Sequence, residues 1–257
     1  MPGSATTNTL QRPWPARLRR ALAEDRFVLH FQPIVSQRGR RAAYHEALLR
    51  LEPEGPGELI APGAFLPAAE REGVIGEIDR MVIGKVAAML GRGEAPASGI
   101  AVNVSARSVS DAGLLAHLQR CLAVHRADPA RLVLELTETA AISDMPRARE
   151  FCLGARALGC RVALDDFGAG FGSLQYLRHL PFDFLKIDGQ FVRALPSSRA
   201  DRLVVEALAG LAWGLGAEPI AEFVEAKDTL RMLRALDIDL VQGFAVGQPA
   251  PLLPVAA

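Results

Sequence analysis

Six short apolar runs recur between Ile100 and Val246, with helix-patterned segments between most of them. They read IAVNVS from Ile100, LVLELTET from Leu132, VALDDFG from Val162, FLKID from Phe184, PIAEFVE from Pro219 and LVQGFAV from Leu240. Runs this short, bounded by turn signals, predict strands. The spacing of apolar residues predicts helices over Leu114–Val124, Arg147–Leu158, Ala200–Leu215 and Asp228–Leu236, with a short one over Ser173–Leu180. Strands joined through helices must run parallel. Two earlier runs, Phe27–Val35 and Ala43–Leu51, bring the count to about eight, which predicts a TIM-type (β/α)8 barrel; an open doubly wound sheet is the alternative. The gap Ser36–Arg41 is too short for a helical crossover. The first two strands are therefore predicted antiparallel, a modification of the regular barrel.

Helical spacing is also visible over Ala16–Asp25, Leu66–Glu72 and Ile78–Leu90. Residues 1–15 are polar and proline-containing and read as a linker, leaving 16–257 as one barrel domain, a reasonable size for that fold. A formal net charge of zero argues against a generally basic nucleic-acid binder, so no DNA or RNA polymer is expected as partner. Cys121, Cys152 and Cys160 are dispersed and fit a reducing compartment. The most apolar window, Leu203–Ala221, is interrupted by Glu206, Glu218 and glycines. It reads as a buried helix and a strand, and a cytoplasmic protein without membrane contact is expected.

The chemistry gathers at the strand ends. Buried parallel strands should be apolar, yet Asn103 follows IAV and Glu135 and Glu138 sit in LELTE. Asp165 and Asp166 end VAL, and Lys186 and Asp188 sit in LKID. Glu222 and Glu225 lie in IAEFVE, Gln242 in LVQG, and Glu46 in the second strand. Barrel active sites form at the C-terminal ends of strands. Carboxylates with a carboxamide are hard oxygen donors, suited to magnesium, manganese or calcium, and the lack of a matching histidine or cysteine disfavours zinc. The number of acids favours two cations, an arrangement able to activate water against a phosphodiester, with a lysine to offset phosphate charge. Taken singly, an acid at a strand end is more often a helix cap or a surface ion pair. Independent capping does not select oxygen ligands on successive strands. His45 adjoins Glu46, but alternation turns it to the opposite face.

Taken in order, Gln32-Pro33-Ile34, Glu46-Ala47-Leu48-Leu49-Arg50, Asn103-Val104-Ser105, Glu135-Leu136-Thr137-Glu138, Asp165-Asp166-Phe167-Gly168, Lys186-Ile187-Asp188, Ala221-Glu222-Phe223-Val224-Glu225 and Gln242-Gly243-Phe244 form a series. In this series the chain resembles the EAL-domain cyclic di-GMP phosphodiesterases, from about Ala16 to Pro251. The resemblance implies hydrolysis of cyclic di-GMP to linear pGpG with two Mg²⁺ or Mn²⁺ ions. It implies Glu46, Asn103, Glu135, Asp165, Asp166 and Glu222 as metal ligands, Asp165 bridging and Asp166 belonging to the second ion. Asp188, beside Lys186, is counted with the candidate ligands. Lys186 is similar to the lysine that positions the nucleophilic water, and Gln242 to the glutamine that completes the metal–water network. Gln32 and Arg50 match substrate contacts, and Glu138 matches the glutamate that holds the loop after the Asp-Asp pair.

The chain departs from the family pattern at Ala169, Phe171 and Gly172, where hydroxyl-bearing residues are usual, and at Phe223, where glycine is usual. These departures motivate the alternative of a cyclic di-GMP receptor with weak or no catalysis; a protein-interaction module that has lost the nucleotide is a third reading. The resemblance also implies sensory or cyclase-like domains in the full-length protein. Val204, Leu208 and Leu211 offer a face for a homodimer, although each residue reads more readily as core against the barrel.

Overall fold

The computed structural model describes residues 13–96, 98–168 and 174–251. Its first two strands, β1 (Phe27–Ser36) and β2 (Arg41–Leu51), form the antiparallel pair that the short connection requires. Six short strands follow: β3 (Ile100–Asn103), β4 (Leu132–Thr137), β5 (Arg161–Phe167), β6 (Phe184–Ile187), β7 (Glu218–Ala221) and β8 (Leu240–Gln242). Neighbours pair in chain order and the sheet closes into a barrel. Strand β1 is antiparallel to both β2 and β8, and the other neighbours are parallel.

The helices cover the outside. They are α1 (Trp14–Ala23), α2 (Leu66–Arg71), α3 (Ile75–Arg92), α4 (Ala106–Val109), α5 (Gly113–His125), α6 (Glu138–Ser143), α7 (Met145–Ala157), α8 (Gly189–Ala194), α9 (Arg199–Gly214) and α10 (Lys227–Ala235). Helix α1 starts two residues ahead of the predicted start, because Pro15 in its first turn needs no hydrogen-bond partner there. Three predicted strands stop early for a local reason. Ser105 and Thr137 cap α4 and α6 with their side chains, and Asp188 caps α8, so each chain leaves the barrel wall at that point. The predicted short helix after β5 is a 3-10 helix over Leu174–His179. Val204, Leu208 and Leu211 of α9 pack on the hydrophobic core, so this face meets the barrel. No helix among the described residues is long and apolar enough to cross a membrane.

Inside the barrel, Ile34, Tyr44, Ala101, Val133, Ala163, Phe184, Ile220 and Leu240 form a separate apolar cluster, one residue from each strand. Alternation turns the residue two positions further along each strand inward as well. Because β1 runs in reverse, its next inward residue is Gln32; on the other strands they are Glu46, Asn103, Glu135, Asp165, Lys186, Glu222 and Gln242. A polar layer therefore rests directly on an apolar plug.

Candidate metal centre

Lys186 stands at the middle of this layer, fully buried. Its Nζ lies 2.9 Å from Glu135 Oε2, 2.9 Å from Glu222 Oε1, 3.0 Å from Asp165 Oδ1 and 3.4 Å from Glu46 Oε2. Amides from both sides of the ring complete the network. Asn103 Nδ2 donates to Glu46 Oε1 at 2.6 Å, and Gln242 Nε2 donates to Glu46 Oε2 at 2.5 Å and to Gln32 Oε1 at 3.2 Å. Strand register sets these neighbours: Gln32 faces Glu46 across β1 and β2, and Asn103 lies level with Glu135.

The layer is under-neutralised: four carboxylates meet one ammonium. Burial pushes the Glu135 carboxyl up to about 8, reinforced by Glu46 and Asp165 against the pull of Lys186. Burial likewise lifts Glu222 well above the usual carboxylate range. Glu46 moves the other way: burial would raise it, but Lys186, Gln242 and Asn103 together hold it below its ordinary value. Burial works against the charged form of Lys186, and its four carboxylate neighbours overcome that, keeping it strongly protonated. A site of this kind must either retain protons or take up cations.

Asp165 and Asp166 are adjacent, and regular alternation would send them to opposite faces. A register shift between Leu164 and Phe167 breaks that rule, with Asp166 in the left-handed region at φ 54°. Asp165 Oδ1 accepts the Asp166 backbone N–H at 3.0 Å. As a result two groups of carboxylates converge, Glu46–Glu135–Asp165 and Asp165–Asp166–Glu222, each with ligand oxygens within 4.8 Å of one another. Asp165 belongs to both. Burial, followed by repulsion from Asp165, raises Asp166 to about 6.

The donor set suits hard divalent cations. Among the described residues, Glu135 Oε1, Glu222 Oε2 and Gln242 Oε1 are buried and meet no hydrogen-bond partner, as oxygens awaiting a cation or its water would be. The remaining predicted residues are placed differently. Glu138 lies outside the layer, and its Oε2 accepts the Gly168 N–H at 3.1 Å, fastening the chain that leaves β5. Asp188 caps α8, its Oδ1 accepting from Gln190 N at 2.6 Å, and it joins neither carboxylate group. Arg50 shares the inward-facing register of Glu46 and Leu48, and its guanidinium donates to Leu49 O at 2.8 Å. Gln32 is buried, its Nε2 donating to Gly247 O at 3.1 Å. His45 faces away from the layer, as alternation requires, and Glu225 is exposed beyond β7. Ala169, Phe171 and Gly172 lie outside the described residues.

Phe223 leaves the layer intact. It adopts φ 50°, which turns its ring outward onto Gly189 while Glu222 stays on Lys186. The Arg193 guanidinium stacks on that ring at 4.7 Å.

Beside the layer opens a cleft of about 710 Å³, walled by Leu48, Leu49, Ile78, Asp79, Ser105 and Arg107, with Asn103 at the junction. Asp79 escapes the reading of strand ends because it lies on a helix. It is buried, and its Oδ2 accepts from Ser105 N at 3.0 Å and Ser105 Oγ at 2.6 Å. The available signal is an acid inside the apolar stripe Ile75, Ile78, Val82 of α3.

Residues 16–249 match the EAL domain family. The chain is 36% identical over 239 residues to "Cyclic di-GMP phosphodiesterase PdeF" of Escherichia coli K12, covering 92% of this chain and 32% of that protein. It is 37% identical over 238 residues to "Bifunctional diguanylate cyclase/cyclic di-GMP phosphodiesterase MucR" of Pseudomonas aeruginosa, covering 91% of this chain and 34% of that protein. It thus spans about a third of the length of these curated relatives. Among solved structures, the PaMucR phosphodiesterase in complex with c-di-GMP superposes with a TM-score of 0.86 at 36% identity, covering 93% of this chain and 97% of that one. The FimX EAL domain from Pseudomonas aeruginosa bound to c-di-GMP gives 0.85 at 30% identity, covering 93% and 97%.

Proposed function

The chain belongs to the EAL domain family, and on that premise we propose that it hydrolyses cyclic di-GMP to linear pGpG with two divalent cations, Mg²⁺ or Mn²⁺. One observation carries the reading: two groups of carboxylates share Asp165 and press on a single buried lysine. Glu46, Asn103, Glu135 and Asp165 would hold one cation, and Asp165, Asp166 and Glu222 the other. Asp188 acts from beside Asp166, repelling its charged form. Bound cations supply charge neutralisation at the phosphate and acidify water.

The chain's own groups do the rest. Lys186 fixes the orientation of four carboxylates and adds a buried positive charge on the side of the layer that a phosphoryl group would meet. Gln242 and Asn103 pin Glu46 from two sides, which keeps its oxygens in one orientation. Glu138 anchors the exit of β5 and so steadies the bulge that presents Asp166. Arg50, at the mouth of the same face, is suited to clamp a phosphate, and Gln32 lies across from Glu46 to meet the substrate. The adjoining cleft has ample room for a purine base, with Leu48 and Leu49 as apolar wall and the Asp79 carboxylate as acceptor for a guanine N–H edge.

The receptor reading would gain support from a displaced Glu222, and the outward turn of Phe223 takes away one of its two motives; the other, Ala169, Phe171 and Gly172, lies outside the described residues. Incubation of purified protein with cyclic di-GMP and Mg²⁺ or Mn²⁺, with chromatography for pGpG, tests the proposal. Turnover abolished by chelation and by Asp165→Asn, with the far-UV spectrum unchanged, is the expected result. Binding without turnover in either metal would establish the receptor instead.

A further inference from the structure

Strand β8 is too short to cover its neighbour. It pairs with β1 only through Gln242, Val241 and Leu240, opposite Ile34, Val35 and Ser36, which leaves the β1 edge at Phe31 and Gln32 without a strand partner. The segment after β8, residues 243–250, fills that place. Ala245 N donates to Val224 O at 2.9 Å, and Val246 N and Gly247 N both close on Gly243 O at 3.0 Å. The segment then reaches β1, where Phe31 and Ala250 exchange backbone hydrogen bonds of 2.7 and 3.1 Å. It is a strap across the seam, covering an edge that would otherwise be open.

One side chain ties the strap to the polar layer. Gln32 Nε2 donates to the strap carbonyl of Gly247 at 3.1 Å, and Gln32 Oε1 accepts from Gln242 Nε2 at 3.2 Å. That same Nε2 donates to Glu46 Oε2 at 2.5 Å. The order Gly247, Gln32, Gln242, Glu46 is an unbroken chain of amides ending on a carboxylate. Both amide ends of Gln32 are engaged within the protein. The fit is close on the strap side as well, since a Cβ on Gly247 would stand 2.3 Å from Pro33 Cγ.

We propose that Gln32 is a positioning residue that fastens the C-terminal strap, residues 243–250, to the metal-site carboxylate Glu46 through Gln242. Gln242 orients one oxygen of Glu46, and Gln242 is held in turn by Gln32 and the strap. The strap is thereby part of the metal centre's support without touching it. The proposal rests on the reading of Glu46 as a metal ligand, and Mn²⁺ titration of the unaltered protein tests that reading separately.

The decisive comparison pairs Gln32→Ala, which cuts the chain at its middle, with Gly247→Ala, which pushes the strap off from outside the layer. Hydrogen exchange of the metal-free proteins reads the strap, and Mn²⁺ titration reads the site. Both variants are expected to speed exchange in 244–250 and to weaken Mn²⁺ binding about tenfold, the low end for residues supporting a metal ligand. Excess Mn²⁺ should restore kcat in both variants; KM for cyclic di-GMP should stay little changed in Gly247→Ala, whereas Gln32→Ala also removes a substrate contact and raises it. The double variant should lose no more Mn²⁺ affinity than the stronger single one, because both break one chain. If Gln32→Ala does not fold, Gly247→Ala alone decides. Unchanged Mn²⁺ affinity in a variant whose strap has loosened would overturn the proposal. So would an effect confined to KM, which would make Gln32 a substrate contact only.

Discussion

Lys186 Nζ lies 2.9 Å from Glu135 Oε2, and both side chains are sealed from solvent. Lys186 also helps hold the buried Glu46 below its ordinary value, so removing the lysine strands that ionised carboxylate, at about 3–5 kcal/mol. Lys186→Met keeps the bulk and removes the charge. In chelator at neutral pH it should destabilise the protein on that scale, and the deficit should shrink towards pH 5 as the carboxylates protonate. Turnover in Mn²⁺ should fall about 10²–10³-fold, as for loss of one aligned donor. Denaturant titrations in chelator and initial rates in Mn²⁺ measure the two effects; full stability of the variant at pH 8 in chelator would contradict this account.

The raised carboxyls set a pH dependence with a definite sign. Glu135, ordinarily near 4.5, stands at about 8 in the folded, metal-free protein, chiefly through burial. The folded state thus holds a proton that the unfolded chain gives up earlier. Its stabilising share is complete below about 4.5 and is lost as pH rises through about 8. Metal-free protein should accordingly melt at progressively lower temperature from pH 5 to pH 8.5. Cations must displace the proton on Glu135 and, below about 6, the one on Asp166. Mn²⁺ affinity should rise over pH 6–8, with protons released on binding. Calorimetry in buffers of different ionisation enthalpy counts them, and a pH-independent affinity with no proton release would refute the argument.

Asp79 supports a prediction about substrate alone. Burial raises its carboxyl even though Ser105 hydrogen-bonds it, and it forms part of the cleft wall. If it accepts from a guanine edge, Asp79→Asn offers a donor where an acceptor is needed. KM should rise tenfold or more, on the order of the loss of a buried polar contact, with kcat nearly unchanged. The same substitution weakens the Ser105 contact by about 1 kcal/mol. A lower Tm with unaltered KM would identify Asp79 as a purely structural brace for α4.

The barrel and its polar layer were largely legible because every strand but the reversed β1 carries the same device. An apolar inward residue is followed two positions later by an oxygen ligand, an amide or the lysine, as in Val133 and Glu135 or Phe184 and Lys186. That period survives in a bare sequence. Three features were not legible, each because it depends on contacts far apart in the chain or on a break in the period. The bulge that brings Asp166 beside Asp165 cancels alternation without a residue signature of its own. Asp188 looks like a strand-end ligand, but its carboxylate is occupied by the first turn of α8. Gln32 shows its link to Gly247 only once the chain has closed on itself, across 215 residues.

Phe223 tests how the layer tolerates a large side chain beside Glu222. An aromatic residue at φ 50° carries backbone strain of about 1–2 kcal/mol. Its ring recovers part of this by lying on Gly189 and under Arg193, the latter contact being about 0.5–1 kcal/mol at an exposed site. Phe223→Gly should therefore be close to neutral in stability and keep turnover, since Glu222 is held by Lys186 and not by the ring. Gly189→Ala is different. A Cβ there would lie 2.3 Å from Phe223 Cδ2 and 2.6 Å from its Cβ, and the latter cannot swing away without moving the backbone next to Glu222. Gly189→Ala should cost about 1–3 kcal/mol by overpacking and depress turnover with it. In the double variant Gly189→Ala, Phe223→Gly the obstructing atoms are gone, so both stability and turnover should return. Thermal melts and rates for the four proteins close the cycle. Additive losses in the double variant would mean that Gly189 is needed for its own backbone, and that the ring of Phe223 does not govern the approach of α8 to the metal centre.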